Sequence, residues 1–190
     1  MTTMDAAITE CTADDEAMRL VAAGDSQALA MLFERHKTRL FGYLCHVTGD
    51  RSLAEDLLSD VFLRVYRARG TYRPGSGFAP WLYRIARNLA IGELRRRSTF
   101  RKVWDRLVRE ARTAPTDPWE PFRGEVKEQV QAALSLLPEE QRSALVLKEY
   151  ADLSYREVAE VLGCTEEAAR ARAYRARMSL RESLREYVDA

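Results

Sequence analysis

Cysteine and histidine are scarce: three cysteines, Cys11, Cys45 and Cys164, and two histidines, His36 and His46, occur among 190 residues. The cysteines are odd in number and widely spaced, which excludes a disulfide framework and the paired C-x-x-C of a zinc site. No serine, aspartate or glutamate stands at a spacing from the histidines that makes a nucleophile or metal site, so both read as structural. No apolar run approaches the ~20 residues that span a bilayer. The opening stretch, MTTMDAAITECTADDEAM, is acidic and lacks the basic start and apolar core of a signal peptide. Phosphate-cradling G-x-x-x-x-G-K and G-x-G-x-x-G loops are missing as well. These absences exclude membrane insertion and leave no reacting constellation. The sequence predicts no metal, no cofactor and no enzymatic activity, and places the chain in a reducing cytoplasm.

What is present is a soluble mixture, 46% hydrophobic and 31% charged, whose net charge of +1 conceals a strong asymmetry. Residues 1–63 carry 5 Lys and Arg against 11 Asp and Glu, whereas residues 64–112 carry 14 against 3. Residues 113–121 are weakly acidic, and residues 122–190 carry 11 basic against 13 acidic side chains. An acidic front, a basic middle and a mixed tail point to a nucleic-acid partner for the middle. Basic helices also occur as plain solvated faces, so arrangement has to decide.

Apolar residues recur three and four apart throughout, and no segment alternates with period two for long, which predicts an all-α fold. A short helix is expected over 15–23, stopped by Gly24, with Asp25 and Ser26 placed to cap the next. Ser52 and Glu55 have capping-box spacing for a third helix that buries Leu53, Leu57, Leu58, Val61, Phe62 and Val65 before Gly70. The Gly, Pro and Ser-rich loop TYRPGSG follows, then a helix from near Pro80 to about Arg97, with further helix conceivable to residue 112. Its core stripe is Leu82, Ile85, Ala86, Leu89 and Leu94, with Arg84, Arg87, Asn88 and Arg95 opposite. Trp81 heads the apolar stripe and reads as core. Pro115, Pro118 and Pro121 break the chain into a linker. Beyond it, helices are expected over 126–137 and 139–150, then one capped by Ser154 and Glu157, a Gly163-Cys164-Thr165 turn, and a last helix from Thr165 to about Tyr187.

Two constellations carry chemistry. In SYREVAEVLGCTEEAARARAYRARMSL a capped short helix, a glycine turn and a longer helix with Ala169, Ala173, Ala176 and Leu180 on one face have the grammar of a helix-turn-helix, with arginines on the outward side free to enter a major groove. In the basic middle, arginines share a helix with aromatic residues beside a flexible loop holding Tyr72, Arg73, Ser76 and Phe78, a combination suited to unstacked single-stranded bases. Asn88, a neutral amide between Arg84 and Arg87, is the residue placed to read a base edge. Glu55, Asp56 and Asp60 on the third helix form either a solvated face or a partner surface.

The segments AEDLLSDVFLRVYRA (54–68), FAPWLYRIARNLAIGELRRR (78–97), LPEEQRSALVLKEYADLSYREVAEVLGC (137–164) and YRARMSLR (174–181) stand in the order and spacing of the extracytoplasmic-function (ECF) sigma factors of the sigma-70 family. The chain resembles that family from about residue 15 to 186. The resemblance implies a bacterial transcription initiation factor of two small helical domains: a disordered start at 1–13, region 2 at 14–100, a linker at 101–121 and region 4 at 122–190. It implies polymerase docking, chiefly on the β′ coiled coil, through Asp56, Ser59, Asp60, Phe62 and Tyr66, with a further contact to the β flap. It assigns the minus-10 promoter element to Tyr72, Arg73, Ser76, Phe78, Arg84, Arg87, Asn88 and Arg95. The minus-35 element falls to Glu166, Glu167, Arg170, Ala171, Arg172, Tyr174, Arg175 and Arg177. The implied partners are core RNA polymerase, promoter DNA and an anti-sigma factor.

Three positions depart from the family pattern. Ser59 stands where Gln is usual, Gly92 where Asp is common, and Glu167-Ala168-Ala169-Arg170-Ala171-Arg172 replaces the usual G-T-V-K-S-R, with Glu166 also in that first turn. Two other functions fit the helix-turn-helix or the charge alone. One is a transcriptional regulator that acts without polymerase docking and dimerises through its N-terminal half. The other is a helical adaptor without a DNA role.

Overall fold

A computed structural model describes residues 3–107 and 125–185, with side chains at 13–99 and 128–185. Among the described residues all regular structure is helical, in the order α1 (Thr3–Ala22), α2 (Ser26–Thr48), α3 (Arg51–Ala68), a 3-10 turn at Arg69–Thr71, α4 (Phe78–Leu107), α5 (Glu125–Leu136), α6 (Glu139–Glu149), α7 (Tyr155–Leu162) and α8 (Glu166–Ser183). The all-α expectation therefore holds.

Boundaries follow local chemistry. Asp25 caps α2 by accepting from the backbone N–H groups of Gln27 at 2.7 Å and Ala28 at 3.2 Å. Gly49, at φ +69°, ends it in the left-handed conformation that glycine takes without steric cost. The expected Ser52–Glu55 box does not form. Asp50 is the cap of α3, accepting from Leu53 N–H at 2.8 Å, and Glu55 pairs with Arg51 at 2.9 Å instead. An aspartate two residues upstream takes the orphan donors first. The first helix starts at Thr3 rather than near residue 15, and no glycine or proline interrupts the chain between those points. α4 runs beyond Arg97 to Leu107, into the stretch up to residue 112 that the sequence left open to helix and that no glycine or proline interrupts. Residues 108–124, which include the three prolines of the expected linker, lie outside the described residues.

In the N-terminal half α1 lies on α2, α2 pairs with α3, and α4 crosses both. Phe33 and Phe62 join α2 to α3 edge-to-face, with ring centroids 4.9 Å apart, and Tyr43 and Tyr83 join α2 to α4 at 5.2 Å. In the C-terminal half α8 packs on α6 and α7, and Ala169, Ala173 and Ala176 are fully buried in that crossing. Small side chains there let the helix axes approach closely. Trp81 joins the N-terminal core, as its place on the stripe predicts.

The two halves touch: α4 lies against α7, and α2 against α5 and α6. Arg87 reaches both carboxylate oxygens of Glu139, at 2.8 and 2.9 Å, and Ser143 Oγ donates to Glu139 at 2.9 Å. His46 sits 3% exposed, with Nδ1 3.2 Å from Gln131 Oε1 and its ring 4.0 Å from that of Tyr150. Burial holds the His46 imidazole below its ordinary pKa, opposed by the Gln131 hydrogen bond.

Candidate nucleic-acid and polymerase interface

Three surfaces collect the residues singled out from sequence. The first is the outer side of α3. Its buried stripe is Leu53, Leu57, Val61, Phe62 and Val65, which turns Asp56, Ser59, Asp60 and Tyr66 outward. Leu63, 53% exposed, lies in the same row and was missed, since periodicity alone cannot tell an outward leucine from a core one. An exposed leucine and tyrosine amid carboxylates is a surface with an apolar centre and an acidic rim, the make-up of a protein interface. The Arg69 guanidinium lies 4.2 Å from the Tyr66 ring centroid and braces it. Phe62 is a correction: at 6% exposed and packed on Phe33, it supports this face from beneath and does not present itself to a partner.

The second surface joins the 72–77 loop to α4. Arg84, Asn88, Gly92 and Arg95 form one exposed row at helical spacing. A Cβ at Gly92 would meet nothing within 4 Å, so glycine here leaves an open stretch of backbone between two cations. Arg73 and Ser76 are exposed at the loop tip, where Ser76 Oγ donates to the Arg73 carbonyl at 2.6 Å. Two assigned residues are placed otherwise. Phe78 is 1% exposed, packed near His36, Tyr72 and Trp81, so it anchors the loop and offers no stacking face. Arg87 is committed to Glu139 at the seam between the halves. Tyr72 is half-buried, its ring 5.2 Å from that of Trp81.

The third surface is α8. Thr165 caps it by accepting from Ala168 N–H at 3.2 Å, and Glu166 and Glu167 occupy the first turn, where the helix dipole favours carboxylates. The Ser154–Glu157 capping box of α7 forms as its spacing predicts, and Gly163 turns the chain at φ +65°. Glu167, Arg170, Tyr174, Arg175 and Arg177 are exposed, with Ala171 half-buried beside them. Arg172 departs from expectation: it turns back to Glu140 on α6 at 2.7 Å. Carboxylates also hold its neighbours. Arg170 pairs with Glu166 at 2.9 Å and stacks 4.8 Å from the Tyr155 ring centroid, while Arg177 pairs with Glu149 and bonds Tyr155 Oη at 3.1 Å. Of these arginines only Arg175 has no charged partner among the described residues. Tyr155, Glu140 and Glu149 were not singled out from sequence, because each acts from another helix.

No group of three or more metal-ligating side chains exists among the described residues, and no helix there is long and apolar enough to cross a membrane. Cys45 is buried, which raises its thiol pKa to about 12 and keeps it protonated.

An outward helix face with an apolar centre and acidic rim, an exposed cationic row and a helix-turn-helix are together the make-up of a DNA-reading protein that works in an assembly. Comparison with known proteins gives the family. The sigma-70 region 2 family matches residues 32–100 and the sigma-70 region 4 family matches residues 127–180. The RNA polymerase sigma factor CarQ of Myxococcus xanthus is 37% identical over 165 residues, covering 86% of this chain and 92% of that protein. The RNA polymerase sigma-H factor of Pseudomonas aeruginosa is 31% identical, covering 90% and 93%. Among solved structures, the sigma factor RpoE of Bartonella quintana in complex with the anti-sigma factor NepR has a TM-score of 0.65 at 26% identity, covering 84% of this chain and 95% of that one. CnrH in complex with the cytosolic domain of CnrY shares the fold, at a TM-score of 0.71 and 23% identity, covering 92% and 98%. The chain belongs to the sigma-70 family as an ECF-type RNA polymerase sigma factor. Its role is transcription initiation and not catalysis, and neither the polymerase-independent regulator nor the adaptor is favoured.

Proposed function

We propose a division of labour among the three surfaces. The α3 face, centred on Asp56, Ser59, Asp60, Leu63 and Tyr66, docks on the β′ coiled coil of core polymerase. The 72–77 loop and the Arg84, Asn88 and Arg95 row receive the unstacked strand of the minus-10 element. The outward side of α8 enters the major groove at the minus-35 element, with Arg170, Arg175 and Arg177 on phosphates or guanines and Tyr174 beside them. Region 2 spans about residues 14–100 and region 4 about 122–190, the latter also meeting the β flap, and the protein acts in the cytoplasm. An anti-sigma factor is a fitting partner, since RpoE of Bartonella quintana is seen in complex with the anti-sigma factor NepR.

The observation that carries this reading is the exposed row on α4. Arg84, Asn88 and Arg95 are exposed at helical spacing with no side-chain partner among the described residues, on the helix that follows the exposed 72–77 loop. The test is transcription by purified core polymerase with this protein, from a template library randomised at both promoter elements. Selection of a two-part consensus supports the reading. Transcripts independent of the added protein contradict it.

A further inference from the structure

Two adjacent carboxylates on α1 point at different neighbours. Asp14, 3% exposed, ties α1 to α2 by pairing with Arg35 and by a 2.7 Å bond to His36 Nε2. Asp15 reaches the 72–77 loop instead: one of its oxygens accepts the Tyr72 hydroxyl and the other accepts the Gly75 N–H at 2.8 Å. That loop contains a tight turn, with Pro74 second, Gly75 third at φ +84°, and Ser76 N–H on the Arg73 carbonyl at 3.2 Å. Proline followed by a glycine at positive φ is the signature of a type II turn. Its central Pro74–Gly75 peptide is the unit that turns over between types I and II, and its N–H is the one Asp15 holds. A hydrogen bond to an ionised carboxylate is roughly twice as strong as a neutral one. The second bond orients Tyr72, whose ring packs edge-on against Trp81 and Phe78 at the foot of the loop. Arg73, Pro74 and Ser76 remain exposed above it.

We propose that Asp15 is a positioning residue for promoter recognition. By gripping the Tyr72 hydroxyl and the Gly75 peptide it holds the loop in the single shape that receives the minus-10 strand, so α1 becomes part of the specificity determinant. This rests on the reading of that loop given above. Asp15 acts through the loop and not by touching DNA.

The test uses the full chain assembled with core polymerase and the promoter selected from the randomised library. Asp15→Ala removes both acceptors. It is expected to slow opening of the selected promoter about tenfold and to flatten discrimination among single-base changes in the minus-10 element, with core affinity unchanged. In Asp15→Asn the amide oxygen can accept from Gly75 N–H while the amide NH₂ donates to Tyr72 Oη, so most of the discrimination is expected to return. Tyr72→Phe, which leaves the ring packing in place, is expected to lose less than Asp15→Ala and keeps the proposal testable if the alanine variant does not fold. Arg84→Ala with Asn88→Ala separates the two readings. If that pair impairs opening while Asp15→Ala and Tyr72→Phe leave opening and discrimination at the parent level, the positioning role is overturned and the minus-10 assignment of the α4 row stands. If none of these variants alters opening or discrimination, the minus-10 assignment itself falls. Loss of core affinity in parallel with opening marks Asp15 as a residue of the fold only, and also overturns the proposal.

Discussion

The exposed row of α4 and the outward side of α8, the two surfaces proposed to face DNA, differ in how most of their arginines are held, although α4 has paired arginines outside the row, Arg87 with Glu139, Arg96 with Glu93 and Arg97 with Glu93 and Asp50. On α4, Arg84 and Arg95 are exposed with no charged partner among the described residues, and the carboxylates Asp14 and Asp15 serve α1, α2 and the loop. On α8, Arg170, Arg172 and Arg177 are each held by a glutamate, from α8, α6 and α6 respectively. On the proposed reading, the Arg84 and Arg95 row therefore receives a strand without first giving up a charged partner. On the same reading, phosphate or base reaching Arg170 or Arg177 displaces a carboxylate, which lowers affinity for arbitrary duplex and leaves selectivity to the contacts that a correct site returns. Exposed pairs of this type are worth only about 0–1 kcal/mol each, so the exchange is small enough to be reversible.

The largest expected effect lies outside both surfaces and shows that they work only in an assembly. Asp56→Arg with Asp60→Arg puts two cations where α3 is acidic, and like-charge contact at an interface costs several kcal/mol. Binding to core polymerase is expected to fall by about a hundredfold or more, with the helical circular dichroism unchanged, since both side chains are exposed. Competition binding against the parent protein measures it.

Ala173→Leu separates the halves by stability. Ala173 is fully buried where α8 crosses its neighbours, and overpacking such a site costs about 1–3 kcal/mol. Hydrogen exchange is expected to accelerate in α6, α7 and α8 while α2 and α3 keep their protection. Uniform acceleration would mean that the halves unfold as one unit.

Glu149→Gln sharpens the charge comparison. Freeing Arg177 is expected to raise duplex affinity by up to about fivefold, equally for all sequences, and to steepen the salt dependence by about one phosphate contact. A gain confined to one minus-35 sequence would instead make Glu149 a selectivity residue.

The smallest effect is pH dependence at the seam. His46 is held neutral by burial, below its ordinary pKa of 6.5. Below that value the unfolded or separated chain binds the proton first, so stability present at pH 7.5 is lost as pH falls toward the folded value. The loss is bounded by about 1.4 kcal/mol per pH unit, roughly 2–5 °C in melting temperature. Thermal melts at pH 7.5 and 5.5 check it, and in His46→Gln the difference is expected to shrink.

Much of this arrangement is legible along the chain, and what is not has a common physical cause. Apolar spacing locates the helices, Ser154 and Glu157 mark α7, and the alanine stripe of α8 predicts a close crossing, because each of these signals lies within one helical turn or its repeat. The cap of α3 was misplaced because Asp50 and Ser52 are both competent acceptors, and only the chain path selects one. Phe78 follows from residue type and Arg172 from the family resemblance as DNA contacts, yet one is buried among His36, Tyr72 and Trp81 and the other finds Glu140 on a different helix. Asp15 left no local trace at all, since its partners are 57 and 60 residues away. Contacts of that range are set by packing and not by periodicity.

The claim that the basic helix serves an unstacked strand and the last helix serves duplex is tested most directly by binding of the polymerase-assembled protein to two probes. One is a fork carrying a single-stranded minus-10 segment without a minus-35 element, and the other is a duplex carrying the minus-35 element alone. Arg84→Ala with Asn88→Ala is expected to weaken the fork about tenfold or more and leave the duplex unchanged, while Arg170→Ala with Arg175→Ala does the reverse. Equal losses on both probes from either pair would contradict the division.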